Sequence, residues 1–243
     1  MMRYTIRYVS LLAGMLTVFS SCEHKDLCFD HEAHAPKSDV HVKAVYEKEW
    51  EHTCEGGPDW KQYPAWESRF GMEYHELCPD DPDGLRVQVY NEDGTNNILN
   101  VASEGDIVRM RPGEHSLLLY NNDTEYIVFD DMNSFASAKA TTRTRTRASY
   151  AGNPFMGNTA ENTVNAPDML YGNYIESYTA ERKTEIDELP VTMHPLVFTY
   201  LVRYEFSHGL EYVALAHGAL AGMAGAVWLN SGRTSEEAAT ILY

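Results

Sequence analysis

The sequence predicts an all-β protein built from two β-sandwich domains. Short segments of alternating apolar and polar residues recur between residues 40 and 129, separated by turn signals rich in Gly, Pro, Asn and Asp. No helical period lies between them, which favours a sandwich over a parallel sheet. We therefore expect an N-terminal sandwich at 40–133, a linker at 134–167 and a C-terminal sandwich at 168–243.

The N-terminal half contains six predicted strands. Val40–Tyr46 alternates apolar and polar side chains, as a half-buried strand does. Residues 47–84 then carry turn chemistry, including four prolines and two adjacent glycines. The strands that follow are Leu85–Tyr90, Asn97–Ala102, Ile107–Met110, Ser116–Tyr120 and Tyr126–Phe129.

The C-terminal half resumes strand patterns. Asp168–Tyr178 is rich in tyrosine, and Leu189–Phe206 holds a long β-branched and aromatic run that predicts a strand. Leu210–Ala216 continues this pattern. Because about 75 residues are few for a closed sandwich, we expect the second sandwich to be incomplete at residue 243.

The N-terminus has the features of an export signal. Arg3 and Arg7 precede the apolar run Val9–Phe19, which is too short to span a bilayer. Ser20-Ser21-Cys22 resembles the bacterial lipobox, although Phe19 departs from the usual Leu or Val. We expect residues 1–21 to be a lipoprotein signal peptide, Cys22 to carry acyl chains, and 22–39 to be a tether; the alternative is an ordinary secretory signal with an incidental cysteine.

Composition restricts the partners. Removing residues 1–21 takes away two arginines and no acid, so the formal net charge changes from −17 to −19. A surface this acidic repels phosphate backbones, so we expect no nucleic acid to bind. The longest later apolar segment, Tyr212–Trp228, contains His217 and is too short for a transmembrane helix.

Three cysteines remain besides Cys22. In an oxidising compartment they cannot all pair with one another. Cys54 and Cys78 flank a turn-rich stretch and are the preferred disulfide, although connectivity does not follow from sequence.

Catalytic signatures are missing from the sequence. It contains no Gly-x-Ser-x-Gly, no His-Glu-x-x-His and no phosphate-binding glycine loop. The spacing of Cys28, His31 and His34, near His24 and His41, would suit zinc, but these residues lie mainly in the tether with no fold to hold them. We expect no metal, no cofactor and no enzymatic activity.

Two surface features have a functional and a structural interpretation. Trp60, Tyr63 and Trp66, in the aromatic stretch 50–74, would form a stacking platform for glycans or a contact for a protein, or else pack under a long loop. The alternating Thr-Arg residues 143–147 would be a protease-processing site or an anion-binding strand; a solvated edge or loop is the favoured alternative.

Several segments resemble known proteins. Cys22–His31 resembles the start of Bacteroidales fimbrillin-family anchor lipoproteins and of a neighbouring uncharacterised family with a lipobox. Further segments that resemble these families are Arg111–His115, Leu118–Glu125, Pro167–Tyr171, Val191–Pro195 and Ala219–Ala224. The resemblance implies two tandem transthyretin-like Greek-key sandwiches and no catalytic residues.

The resemblance also implies a function. Anchor-type members hold the base of a fimbrial shaft, and pilin subunits join by strand addition at unpaired sheet edges. We therefore expect a lipoprotein of the outer membrane, facing the periplasm or the cell surface, that anchors or contributes to a fimbrial shaft, with the membrane and pilin subunits as partners. A glycan-binding surface lipoprotein that uses residues 50–74 is the alternative.

Overall fold

The structure, a computed structural model of the 243-residue chain, describes residues 37–47, 65–146, 162–202, 204–214 and 218–243. All of these belong to a single unit, Lys37–Tyr243. The predicted signal peptide, Cys22 and most of the predicted tether lie outside the described residues.

Most regular elements of the described residues are strands, which confirms the all-β prediction. The strands are β1 (Val40–Tyr46), β2 (Leu85–Asn91), β3 (Asn96–Val101), β4 (Ile107–Val108), β5 (Gly113–Asn121), β6 (Ile127–Asp130), β7 (Lys139–Thr142), β8 (Thr163–Asn165), β9 (Tyr171–Ala180), β10 (Asp187–Pro195), β11 (Ala219–Ala224), β12 (Ala226–Trp228) and β13 (Ala238–Leu242). One short helix, α1 (Trp66–Phe70), and 3-10 turns at Tyr74–Leu77 and Leu210–Tyr212 complete the elements of the described residues.

Seven strands form one sheet in the order β3-β2-β5-β9-β10-β1-β4. β9 and β10 meet over only two residue pairs, Gly172 with His194 and Tyr171 with Pro195. The sheet therefore divides at this narrow contact into a layer β3-β2-β5-β9 and a layer β10-β1-β4. Within the second layer, β1 and β10 run parallel and pair over seven residues.

The two layers enclose the first hydrophobic core, as expected for a sandwich. One layer contributes Val87, Leu117 and Tyr171, and the other contributes Val42 and Met193, and none of these side chains is more than 2% exposed. Burying each of them stabilises the fold by roughly 1.5–3 kcal/mol, before the entropy of ordering the chain is counted.

β5 is buried on both faces. Leu117 and Leu119 point into the first core, whereas Leu118 and Tyr120 point into a second core that also contains residues of β7 and β12. Successive side chains of a strand alternate between its faces, so one strand supplies both cores. Its near-continuous apolar sequence, Leu117-Leu118-Leu119-Tyr120, follows from this position.

The remaining strands form two small sheets, ordered β11-β13-β8 and β12-β7-β6. β7 and β8 both lie inside the predicted linker 134–167, and β9 and β10, from beyond it, join strands of the first half. Strand pairing therefore does not follow the predicted division into two tandem sandwiches. The alternation of side chains along a strand shows which face is buried. It does not show which distant strand will pair with it through backbone hydrogen bonds.

The long predicted strand Leu189–Phe206 is only partly confirmed. β10 ends at Pro195, whose nitrogen cannot donate to a ladder, and the next amide, of Leu196, donates to the carbonyl of Leu170 at 2.7 Å. Residues 196–202 and 204–206 lie outside every described strand. The strand predicted at Leu210–Ala216 is likewise wrong where it is described, since Leu210–Tyr212 is a 3-10 turn. High β-propensity does not make a strand without a neighbouring edge to pair with.

Candidate functional site

An open apolar groove lies beside the two small sheets. Its volume is about 540 Å³, within the range of roughly 300–1,000 Å³ that is usual for ligand-binding clefts. β7, β8, β11, β12 and β13 all contribute to its walls. Side chains that line it include Val164, Leu220, Met223, Val227 and Ile241.

Residues 196–202 form another wall of this groove. Leu196 and Val197 pack against the second core, but Phe198 is 69% exposed and Tyr200 is 61% exposed. Leu201 and Val202, which also line the groove, are 43% and 41% exposed. Large apolar side chains exposed together, rather than singly, are typical of interaction surfaces.

The groove contains few polar side chains. Those that line it are the hydroxyl-bearing residues Thr141, Thr142, Thr199, Tyr200, Thr234 and Tyr243, and no charged residue among the described residues does so. Such a lining suits apolar side chains and would leave a buried charge without compensation.

β11 is the outermost strand of its sheet, next to the groove. It pairs with β13 on one side, with a register shift between Leu220 and Met223. Leu220 and Met223 are half-buried toward the groove, whereas Ala221 is exposed and does not line it. An outermost strand of small residues offers backbone groups to which a further strand can add.

The two small sheets and residues 196–202 together make up the groove-forming half of the protein. This half is joined to the sandwich at one end of that sandwich. The chain passes between them after β5, before β9 and after β10. Register places Tyr120 beside Gly172, and Gly172 beside His194, so these three ends lie together. Val40, where the chain enters β1, pairs with Asp187 at the other end of β10.

Asp168 fixes the start of β6 and was not identified from sequence. Its Oδ2 accepts hydrogen bonds from the backbone N–H groups of Glu125, Tyr126 and Ile127, at 2.8, 2.5 and 3.3 Å. Asp168 precedes β9, and residues 125–127 follow β5. This carboxylate therefore links the connection after β5 to the connection before β9. An Asp beside a Pro is a frequent turn residue, and the sequence carries no signal for its distant partners.

The sandwich end near Tyr46 is also tightly packed. The ring of Tyr46 lies edge-on to that of Tyr171, with centroids 5.1 Å apart, and its hydroxyl donates to the carbonyl of Ser103 at 3.0 Å. Burial, with a further contribution from Asp123, raises the pKa of Tyr46 to about 12. The neutral phenol is therefore the form that the folded state favours.

The aromatic stretch is described only in part. Trp60 and Tyr63 lie outside the described residues. Trp66 is half-buried, with its ring 4.2 Å from that of Phe70 and 5.0 Å from that of Tyr74, centroid to centroid. Both interpretations of this stretch, the glycan platform and packing under a loop, stay predictions.

The predicted disulfide stays a prediction as well. Cys78 is half-buried and is the one cysteine among the described residues, and Cys54 lies outside them. Of the histidines considered for zinc, His41 lies in β1, and the described part of the chain contains no group of three metal-binding side chains.

The Thr-Arg residues lie along β8 where they are described. The amide of Arg145 donates to the carbonyl of Thr163, and the amide of Asn165 donates to the carbonyl of Arg143, both at 2.9 Å. Arg143 and Thr144 are exposed, and Arg147 lies outside the described residues. This position agrees with the interpretation as a solvated edge.

The described residues contain no helix with the length and hydropathy that crossing a membrane requires.

Comparisons with known proteins agree with this all-β architecture. The chain is 27% identical, over 173 residues, to a Bacteroides ovatus protein named "Putative fimbrium anchoring subunit Fim4B"; the match covers 70% of this chain and 50% of the relative. A crystal structure of "a putative adhesin" from Bacteroides ovatus superposes with a TM-score of 0.55 at 22% identity, over 91% of this chain and 65% of the other.

These matches confirm the resemblance seen in the sequence, and the chain spans about half the length of the curated relative. A family described as "Domain of unknown function (DUF5119)" matches residues 62–243, which is most of the chain. The chain belongs to this family.

Proposed function

We propose that this protein is an outer-membrane lipoprotein of fimbrial type, which anchors or contributes to a fimbrial shaft by β-strand addition. The apolar groove beside the outermost strand β11 is the observation that carries the proposal. The name of the Bacteroides ovatus relative, a fimbrium anchoring subunit, and the adhesin-like fold support a fimbrial or adhesion-type role at the cell envelope.

The groove specifies the kind of strand that it would accept. An incoming strand gains backbone hydrogen bonds along a sheet edge, and its alternate side chains enter the groove. Because the lining is apolar with a few hydroxyls, the inward-facing side chains should be large and apolar, without charge. The role is structural, and it requires no catalytic group and no cofactor.

The chain enters the sandwich and leaves it for the groove at opposite ends of β1. The predicted lipid on Cys22 and the tether lead into β1 at Val40. The connections to the groove-forming half lie at the other end of the sandwich, about 20 Å away along the seven residues of β1. Attachment through Val40 and attachment at the groove would therefore act on opposite ends of β1.

One pair of variants tests strand addition. Met223→Asp places a charge on the groove wall, whereas Ala221→Asp places the same charge on the exposed face of the same strand. After detergent extraction of each chain from its native bacterium, fimbrial subunits identified by mass spectrometry should be reduced severalfold for Met223→Asp and unchanged for Ala221→Asp. Equal recovery with both variants, or no fimbrial subunit with the unmodified chain, would contradict the proposal.

The lipid anchor has its own test. Mass spectrometry of the mature N-terminus should find Cys22 as the first residue, with a diacylglycerol thioether on its sulfur. Replacing Cys22 with alanine should release the protein into detergent-free buffer, because the acyl chains are the predicted hold on the membrane. An unmodified Cys22 would exclude lipid anchoring.

A further inference from the structure

The strand β1 has an unusual set of neighbours. All seven of its residues pair in parallel with β10, from Val40 with Asp187 to Tyr46 with Met193. On its other side β1 pairs with only two residues of β4. The amides of Val42 and Ala44 also donate hydrogen bonds to backbone carbonyls of the loop before β4. β10 is therefore the main contact that holds β1 in the sandwich.

The two ends of this ladder connect to different parts of the molecule. The N-terminal segment reaches the ladder at Val40, its first pair, just after Lys37, which exchanges two backbone hydrogen bonds of 2.8 Å with Lys183. The groove-forming half is connected beyond Pro195, at the last pair, and the connections after β5 and before β9 lie at the same end. A pull on both parts acts on β1 and β10 in opposite directions along their common axis.

We propose that the parallel β1–β10 ladder is a mechanical clamp, through which tension passes between the N-terminal attachment and a subunit bound at the groove. The clamp rests on the proposed anchoring function for its biological use. Its mechanics depend only on the register and on the positions of the connections.

The direction of the load decides the strength of such a ladder. The hydrogen bonds of a parallel pair are evenly spaced, so tension along the strands stretches all of them together. A load that pulls one end of β1 sideways breaks the pairs one after another. Val40 and Val42 are fully buried against the first core, so sliding β1 past β10 also exposes apolar surface before the strands separate.

Force spectroscopy with two attachment geometries tests the clamp. The probe is the full mature chain, with its four native cysteines replaced by serine. In the shear geometry, handles are attached through Lys37→Cys and Phe198→Cys; in the peeling geometry, through Val45→Cys and Phe198→Cys. The three side chains are exposed, so the handles leave the core intact, and equal urea midpoints of the two chains verify this.

The clamp predicts a rupture force several-fold higher in the shear geometry, because forced unfolding depends on the barrier met along the direction of pulling. Equal rupture forces, or a lower force in shear, would overturn the clamp. Neither result affects the recovery of fimbrial subunits with Met223→Asp. Conversely, failure of that recovery experiment would overturn the anchoring role and leave the measured forces unchanged, so the two proposals fail separately.

Discussion

Gly105 allows the loop before β4 to lie directly against β1. Its φ is +101°, and a Cβ at this position would lie 2.1 Å from the carbonyl oxygen of Val42 and 2.8 Å from its carbonyl carbon. Both backbone bonds from β1 to this loop are next to it: the amide of Val42 donates to Asp106 at 3.1 Å, and that of Ala44 donates to Glu104 at 2.8 Å. Gly105→Ala should therefore push the loop away from β1.

The expected loss in the free energy of unfolding has two parts. The positive φ costs an alanine about 1–2 kcal/mol, and losing two backbone hydrogen bonds adds about 1 kcal/mol each. Gly94→Ala is the matched control, because Gly94 has a φ of +79° and a Cβ added there would have no atom within 4 Å. We expect the free energy of unfolding to fall by about 3–4 kcal/mol for Gly105→Ala and by about 1–2 kcal/mol for Gly94→Ala.

Urea unfolding of the purified mature chain measures both losses. The midpoint should fall for each variant while the denaturant slope stays constant, since the area exposed on unfolding is unchanged. If the two losses agree to within about 0.5 kcal/mol, the contact with β1 contributes nothing and the reasoning is refuted.

Three further changes test other contacts of the fold. Asp168→Ala removes the acceptor of the three amides at Glu125–Ile127 and should cost about 2–3 kcal/mol in urea unfolding, with faster hydrogen exchange there, whereas Asp168→Asn should cost less. Because the pKa of Tyr46 is raised to about 12, its contribution to stability is complete below its ordinary value of 10.0 and is lost as pH rises from there through 12, so urea midpoints of Tyr46→Phe should fall less over this interval; an identical alkaline loss would exclude Tyr46 as the cause. The ion pair of Lys43 with Glu188 joins side chains that are 48% and 62% exposed, so Lys43→Gln should change the free energy of unfolding by less than about 1 kcal/mol, and a larger loss would contradict this.

The strands of the sandwich were predictable where one face is buried and the other is not. Val40 and Val42 alternate with polar neighbours, and β1 has the predicted bounds. β5 and β2 were also found, because apolar residues recur on a period of two or run continuously. Local sequence was sufficient in these cases because burial follows directly from the strand's own pattern.

The groove was not predictable, because it depends on which strands meet. β7, Lys139–Thr142, and β8, Thr163–Asn165, are short and mostly small or polar, and they lie where composition predicted a linker. The apolar run from Leu196 to Phe206 was the available signal for the site, but it predicted a strand. The described side chains of this run line the groove or lie exposed instead, and only the pairing of distant strands determines that outcome.

The position of β5 between two cores has a consequence for how the chain can be divided. Cutting within 147–161, between β7 and β8, would separate β5 from β9, its longest-range partner in the sheet, and would separate β7 from β12. Neither fragment would retain a complete set of neighbours, so neither should fold alone at useful concentration. The two fragments expressed together should instead reassemble, and the protein is expected to unfold as one cooperative body rather than as two modules in series.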